Sequence, residues 1–436
     1  MRTLLLLITS TLLLPAQQQD RMSLSMKQAV DLALAPQGAA RVQLARELIT
    51  ASQTRVAQSR AALLPNLDAS ITEQNFTRNL KAFGVQIPIP GYPDVVGPIS
   101  TFDARATLSQ TIFDFSAYTR LRAAKAQVDT AKAEEDAARN AVSDTVARAY
   151  LALVRATEAV ATAEANVQLS QSLLDLATSQ KEAGTGTGIE VTRAQVQLAN
   201  DRQRILVARN DRAQAEVQLL RAMGLNLSAH IDATDKLQFT PPEDVTLAGA
   251  IQTAEATRAD LKVQQRREAV MKLQLDAVKW ERLPSVAGFA DAGGIGLNPG
   301  DVRYTRTFGV SLRIPIWDGG RRDARRAESA SLYRQEQIRA KDLKLQVEAE
   351  VRTAFEDLQS AAGQVAVAEQ GVQLADAELA QARRRYEAGV GASIEVTDAQ
   401  TRVARARDNR TAALFLHNLA KIELASAMGV IHKVIQ

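Results

Sequence analysis

The chain has 436 residues, of which 46% are hydrophobic but only 4% are aromatic, and it contains no cysteine. Its length allows two or three ordinary domains. The missing cysteines exclude disulfide-stapled ones, and the shortage of bulky side chains argues against one thick globular core. The formal net charge of +4 is too dilute over this length to indicate a nucleic-acid partner.

Residues 1–16 have the plan of a secretory signal peptide. Arg2 is followed by an apolar run over residues 4–14 and by Pro15 and Ala16, after which we expect cleavage. The alternative is an apolar N-terminus that frays. No later stretch reaches 18 apolar residues, so any part of the chain that enters a membrane is expected to do so as strands.

The chain contains an internal duplication. Residues 181–225 and 386–430 align without a gap at a constant offset of 205, and both contain Glu-Ala-Gly, Ile-Glu-Val-Thr, Ala-Gln and a closing Ala-Met-Gly. We therefore predict a first repeat over 17–225, a linker over 226–246, a second repeat over 247–430 and a tail over 431–436.

Each repeat is predicted to contain a helix, two strands, a long helix and a return helix. The first repeat gives strands over 66–76 and 102–113, a long helix over 116–183 and a return helix over 189–223. The second gives strands over 285–293 and 303–316, a long helix over 320–388 and a return helix over 394–428. The expected class is mainly α with a small β part, built on long antiparallel helical hairpins.

Twelve of the eighteen aromatic residues fall around the four predicted strands. An apolar band with aromatic residues near its edges is typical of transmembrane β-barrels, and we assign to it Phe102, Phe113, Tyr304, Phe308 and Trp317. The alternative is a small sheet in water with its own core. Four strands in lipid would leave unpaired edges, so the membrane interpretation requires closure by several copies of the chain.

The sequence carries no pattern that indicates catalysis, a metal or a cofactor. Its three histidines are isolated, and its glycine-rich turns follow long helices, not the short strand that precedes a phosphate-binding loop. We therefore expect neither an enzyme nor a cofactor-binding protein.

Acidic residues open both return helices. Glu190 lies at the start of the first, and Glu395 and Asp398 lie three residues apart, on one face, at the start of the second. One interpretation is that they only favour the helix dipole, by about 0.3–1 kcal/mol each. The other is that these carboxylates have a functional role.

The ordered set of motifs resembles the outer-membrane efflux proteins, or TolC-like channels, of Gram-negative bacteria. It comprises the two-fold repeat, Ile-Pro-Ile-Trp-Asp-Gly-Gly at 314–320, and Tyr-Glu-Ala-Gly at 386–389 followed by Ile-Glu-Val-Thr-Asp-Ala-Gln at 394–400. The resemblance covers nearly the whole mature chain. It implies a homotrimer whose strands close one 12-stranded β-barrel in the outer membrane, and whose helices continue as an α-barrel through the periplasm.

The resemblance also implies a function and partners. Family members are passive exit ducts of tripartite efflux pumps or type I secretion systems. They dock on a periplasmic adaptor (membrane fusion protein) and serve an inner-membrane transporter of the RND or ABC type. The alternative from another class is a periplasmic coiled-coil adaptor or scaffold.

Specific roles follow from the same resemblance. The positions of Glu395 and Asp398 form acidic rings at the periplasmic entrance, Tyr386 takes part in holding that entrance shut, and we place Glu190 with them. Gly391 stands where the family's closed-state lock has an arginine, so the resting closure is expected to differ here. Adaptor docking is expected at the glycines of the hairpin tips, which are Gly184, Gly186, Gly188, Gly389 and Gly391.

Overall fold

The computed structural model describes residues 21–84, 93–241, 245–388 and 390–435. The expected signal peptide and Gly389 lie outside these ranges. The chain divides into two compact units. The first takes its residues from Met1–Gln43, Ala138–Arg258 and Val347–Gln436, and the second from Leu44–Ala137 and Ala259–Gln346. Each unit therefore contains parts of both repeats.

The strands of the described residues form two sheets. Their ranges are β1 Arg21–Leu24, β2 Asn66–Asn79, β3 Val95–Phe113, β4 His230–Ala233, β5 Ser285–Gly296 and β6 Arg303–Arg313. In the first unit β1 pairs in parallel with β4. In the second unit the other four strands form an antiparallel sheet in the order β2-β3-β5-β6.

All four strands of this sheet differ from their predicted bounds. β2 and β5 each run three residues further, to Asn79 and Gly296. β3 begins at Val95, inside a Gly/Pro-rich stretch. Gly97 and Pro98 lie at an irregularity in the pairing, where the register shifts between Phe76 and Arg78 of β2, so the strand continues on both sides of them. β6 ends at Arg313, short of residue 316, because Pro315 has no N–H to continue a ladder.

Helices make up most of the described chain. They are α1 Met26–Leu34, α2 Ala40–Ala61, α3 Phe115–Glu182, α4 Gly188–Met223, α5 Leu247–Thr257, α6 Ala259–Trp280, α7 Arg321–Glu387, α8 Ser393–Ala427 and α9 Ile431–Val434. The two long helices, α3 and α7, contain 68 and 67 residues. The predicted class, mainly α with a small β part, is confirmed. In the described ranges no helix is both long and apolar enough to cross a membrane.

The core of the first unit is centred on Tyr150, whose side chain is fully buried. Its hydroxyl donates to the Leu24 carbonyl oxygen at 2.9 Å and accepts from the Asp235 N–H at 3.2 Å. Burial raises the pKa of this phenol to about 12. A single side chain of α3 thus joins β1 to the segment that follows β4, and the sequence predicted neither of these two strands.

The sheet of the second unit has two chemically different faces. Residues that are partners in the register share a face. One face is apolar and exposed, with Leu67 71%, Ile71 75% and Phe308 78% accessible. The opposite face is polar and includes Asp68, Asp103, Arg105, Thr107, Asp291, Thr305 and Thr307.

Candidate gate at the hairpin tips

The described turn residues of the two long hairpins make matching backbone hydrogen bonds. In the first repeat the N–H groups of Thr185 and Gly186 both donate to the Gln180 carbonyl oxygen at 2.9 Å. In the second, the N–H groups of Val390 and Gly391 both donate to the Arg385 carbonyl oxygen at 3.0 Å. These donors and acceptors are related by the offset of 205 residues that relates the repeats.

A side chain at the matched positions 186 and 391 would crowd these turns. A Cβ at Gly391 would lie 3.0 Å from the Cβ of Arg385 and 3.1 Å from its carbonyl carbon. A Cβ at Gly186 would meet Gln180 and Lys181 equally closely. Gly184 has a φ of +76°, which favours glycine, whereas Gly188 starts α4 with open space around its Cα. Gly184, Gly186 and Gly391 therefore each have a structural reason that is independent of docking.

Glu190 is fixed by the start of its own helix. Its Oε2 accepts from the Thr187 N–H at 2.8 Å and from the Thr187 hydroxyl at 3.1 Å, which forms a capping box with Thr187 as the N-cap. This geometry agrees with the interpretation of Glu190 as a first-turn acid. The negative charge of Glu190 also affects the pKa of a neighbouring residue from the second repeat.

That neighbour is Tyr386, which is 7% exposed and packs with Leu379, Val396 and Val403. Its hydroxyl is buried without a hydrogen-bond partner in the part of the chain that the structure describes. Burial, and after it the negative charge of Glu190, raises the pKa of the Tyr386 phenol. Two of the four predicted entrance residues are thus brought together.

The other two predicted entrance residues differ from each other. Glu395 Oε2 lies 3.6 Å from Nε of Arg385, an ion pair between the last turn of α7 and the first turn of α8. Asp398 is exposed, and no described residue forms an ion pair with it. Arg385 is a tip residue that the sequence reasoning missed, although a basic residue in a last helical turn is a recognisable signal.

A buried polar network lies behind the tips and was also missed. Ser170 of α3 donates to the carboxylate of Asp201 in α4, and Nε2 of Gln400 in α8 donates to the Ser170 hydroxyl at 2.8 Å. All three side chains are at most 3% exposed. Gln400 belongs to the Ala-Gln pair that occurs in both repeats, and this repetition was the only sign of it in the sequence. Repetition alone does not show that Gln400 forms a hydrogen bond with Ser170.

The residues predicted for the membrane band lie in or beside the sheet of the second unit. Phe102, Tyr304 and Phe308 are on its apolar face, since Phe102 and Tyr304 lie opposite Gly296 and Gly294 and Phe308 lies opposite Ala290. Phe113 makes an edge contact with Phe115, with 4.7 Å between ring centroids. Trp317 follows β6 and is 85% exposed.

A family model described as outer membrane efflux protein matches residues 32–225 and 250–430, which together make up most of the chain. The chain belongs to the outer membrane efflux protein family. It is an outer-membrane exit duct of Gram-negative type that extends into the periplasm, and the scaffold alternative is not supported. Efflux proteins of this family are channels, not enzymes, and they work with a periplasmic adaptor and an inner-membrane transporter.

Individual relatives agree with this assignment. The chain is 27% identical to Protein CyaE of Bordetella pertussis over 95% of its length and 86% of CyaE. It is 22% identical to the alkaline protease secretion protein AprF of Pseudomonas aeruginosa, over 86% of this chain and 78% of AprF. Over a shorter part, 41% of the chain and 44% of the relative, it is 28% identical to the nickel-cobalt-cadmium resistance protein NccC of Alcaligenes xylosoxydans.

Solved structures show that the fold is shared. The Campylobacter jejuni CmeC outer membrane channel superposes with a TM-score of 0.77 at 16% identity, over 93% of this chain and 86% of CmeC. The outer membrane protein VceC of Vibrio cholerae gives a TM-score of 0.76 at 18% identity, over 93% of this chain and 96% of VceC.

Proposed function

We propose that three copies of this efflux protein close one β-barrel and form a continuous duct for cargo. The observation that carries the proposal is an exposed apolar face beside open strand edges. Within one chain, β2 and β6 are the outer strands of the four-stranded sheet. In lipid each unpaired edge group would cost several kcal/mol, so β2 of one copy is expected to pair with β6 of the next.

We place the gate of this duct at the hairpin tips. Three copies would bring three Glu395 and three Asp398 side chains to the periplasmic entrance. Arg385 partly neutralises Glu395 within each chain. The Arg385–Glu395 pair supplies a contact between α7 and α8 where Gly391 replaces the arginine of the usual lock. Opening requires α7 and α8 to separate at Tyr386, whose buried hydroxyl is close enough to Glu190 for the negative charge to act on it.

The same tips are the proposed docking surface for the adaptor. A Cβ added at Gly184 or at Gly188 would have no atom within 4 Å, so these two glycines leave open space for a partner. Gly186 and Gly391 act instead by keeping the turn tight. Gly389, which lies outside the described residues, completes the proposed surface.

The cargo is set by the transporter to which the duct is coupled. AprF is named for the secretion of a protease and NccC for resistance to nickel, cobalt and cadmium, so the names of the relatives point to two different kinds of cargo. An ABC-type secretion system and an RND-type pump are therefore the two candidate partners. Co-purification with a tagged chain identifies which transporter class is bound.

A fractionation experiment tests the proposed duct. Mature protein is extracted from outer membranes in mild detergent, and its mass is measured before and after heating. We expect a trimer that dissociates on heating and that conducts ions in planar bilayers. A chain that washes off the membrane at high salt as a monomer would contradict the proposal.

A further inference from the structure

A charged cluster lies on the polar face of the sheet, across its two central strands. Nε of Arg105 in β3 donates to Oδ1 and Oδ2 of Asp103 at 2.8 and 3.0 Å. Its Nη1 donates to Oδ1 of Asp291 in β5 at 3.1 Å. The three side chains are only 17–29% exposed. The guanidinium is thus held against the sheet by one carboxylate from each central strand.

The neighbouring strand leaves room for this arrangement. Gly293 is the register partner of Arg105, and a Cβ at this glycine would lie 2.5 Å from the Cα of Arg105 and 2.3 Å from the Ala104 carbonyl oxygen. No side chain fits at position 293 with this strand spacing. Arg105 therefore extends without obstruction to Asp291, two residues along β5 on the same face.

A third carboxylate lies in the same part of the face. Asp68 is the register partner of Thr107, which is in turn the partner of Asp291. Asp68 is exposed, and none of the described residues forms an ion pair with it. Two more guanidinium groups lie on this face outside the cluster: Arg303 pairs with Asp301 at 3.7 Å, at the turn between β5 and β6, and Arg313 lies at the other end of β6. The charged cluster therefore contains three carboxylates and one guanidinium, a charge of −2 per chain.

We propose that Arg105 sets the charge selectivity of the barrel section of the duct. This inference rests on the proposed function, in which the apolar face meets lipid and the polar face lines the passage. A wall of fixed negative charge concentrates cations in a water-filled pore and repels anions. In a trimer the carboxylates of the three charged clusters carry a charge of −9, and the three Arg105 guanidinium groups reduce it to −6. Because two carboxylates hold each guanidinium, Arg105 has this effect without projecting into the passage.

The test is the reversal potential of the full mature protein in a planar bilayer under a tenfold KCl gradient. Low ionic strength on the dilute side keeps the fixed charges unscreened. We expect R105Q to raise the ratio of cation to anion permeability by about 1.5-fold, in proportion to the fixed charge. D291N is expected to lower the ratio, and R105K, which keeps the charge, to leave it near the wild-type value.

R306Q is the matched control. Arg306 lies on β6 opposite Ala292, on the apolar face, so this substitution removes the same charge outside the passage. We expect R306Q channels to have the wild-type reversal potential. Equal values for R105Q and wild type, or equal shifts for R105Q and R306Q, would overturn the inference. If R105Q inserts poorly, an unchanged ratio in D291N channels overturns it as well. Absence of any wild-type conductance would instead contradict the proposed duct.

Discussion

At the scale of single residues, the two acids of the proposed gate have different surroundings. Glu395 is paired with Arg385 at 3.6 Å, whereas Asp398 has no ion pair among the described residues. We therefore expect Asp398→Asn to weaken cation preference and block by multivalent cations more than Glu395→Gln does. Bilayer recordings with a trivalent cation measure both effects. Unchanged selectivity and block in the E395Q/D398N double variant would contradict an acidic gate.

Tyr150 gives a residue-scale prediction about stability. Its folded-state pKa of about 12 is above the ordinary value of 10, so the folded chain holds the proton more tightly than the unfolded chain. The corresponding stability, about 3 kcal/mol, is fully present below pH 10 and is lost as the pH rises to about 12. We expect thermal melting in detergent to show a smaller loss over this pH range in Y150F, in which only Tyr386 still has a raised pKa among these two phenols, than in wild type.

The same substitution has an effect at neutral pH. Y150F leaves the Asp235 N–H without its partner and removes one of the two hydrogen bonds to the Leu24 carbonyl oxygen, which still accepts from the Thr234 N–H at 3.1 Å. We expect a loss of about 1–3 kcal/mol in the free energy of unfolding. Tyr118→Phe, which removes a hydroxyl from a side chain that is 55% exposed, is the control and should change little. Equal effects of the two substitutions would show that the Tyr150 hydroxyl is not the cause.

At the scale of elements, the hairpin turns are the part most sensitive to one added carbon. Gly391→Ala places a Cβ 3.0 Å from the Cβ of Arg385 and 3.1 Å from its carbonyl carbon, so the turn must give by a few tenths of an ångström. The N–H groups of Val390 and Gly391 should then exchange with solvent about tenfold faster, which hydrogen exchange measures. Gly188→Ala meets nothing within 4 Å and should leave exchange at its own hairpin unchanged. Slow exchange in Gly391→Ala would show that the turn tolerates a side chain.

The elements differ in how well they can be predicted from the sequence. The long helices could be predicted because α3 and α7 lack proline and nearly lack glycine, and each ends at a turn. β1 and β4 could not, because four-residue strands have no usable periodicity and Arg21 pairs with His230, far away in sequence. The Ser170–Asp201–Gln400 network could not be predicted either, since it joins three helices whose relative rotation only packing determines.

At the scale of the whole molecule, the proposed barrel requires lipid on one face of the sheet only. Phe308 and Thr307 are neighbours in β6 on opposite faces. A lysine in the middle of a lipid-facing strand costs about 2–4 kcal/mol, so we expect Phe308→Lys to reduce trimer yield in outer membranes. Thr307→Lys adds the same charge to the polar face and should assemble normally. Quantifying heat-dissociable trimer on gels measures both, and equal yields would contradict the assigned faces.

The matched hairpin turns have a consequence for recognition in such an assembly. One backbone path is followed by Thr185-Gly186-Thr187 in one hairpin and by Val390-Gly391-Ala392 in the other. Three chains would therefore present six turns of a single shape that alternate between hydroxyl-bearing and aliphatic side chains. An adaptor that reads only the backbone could occupy all six positions, whereas one that reads side chains would distinguish two classes of three. The number of adaptor copies bound to each trimer therefore depends on whether the adaptor contacts the backbone or the side chains of the turns.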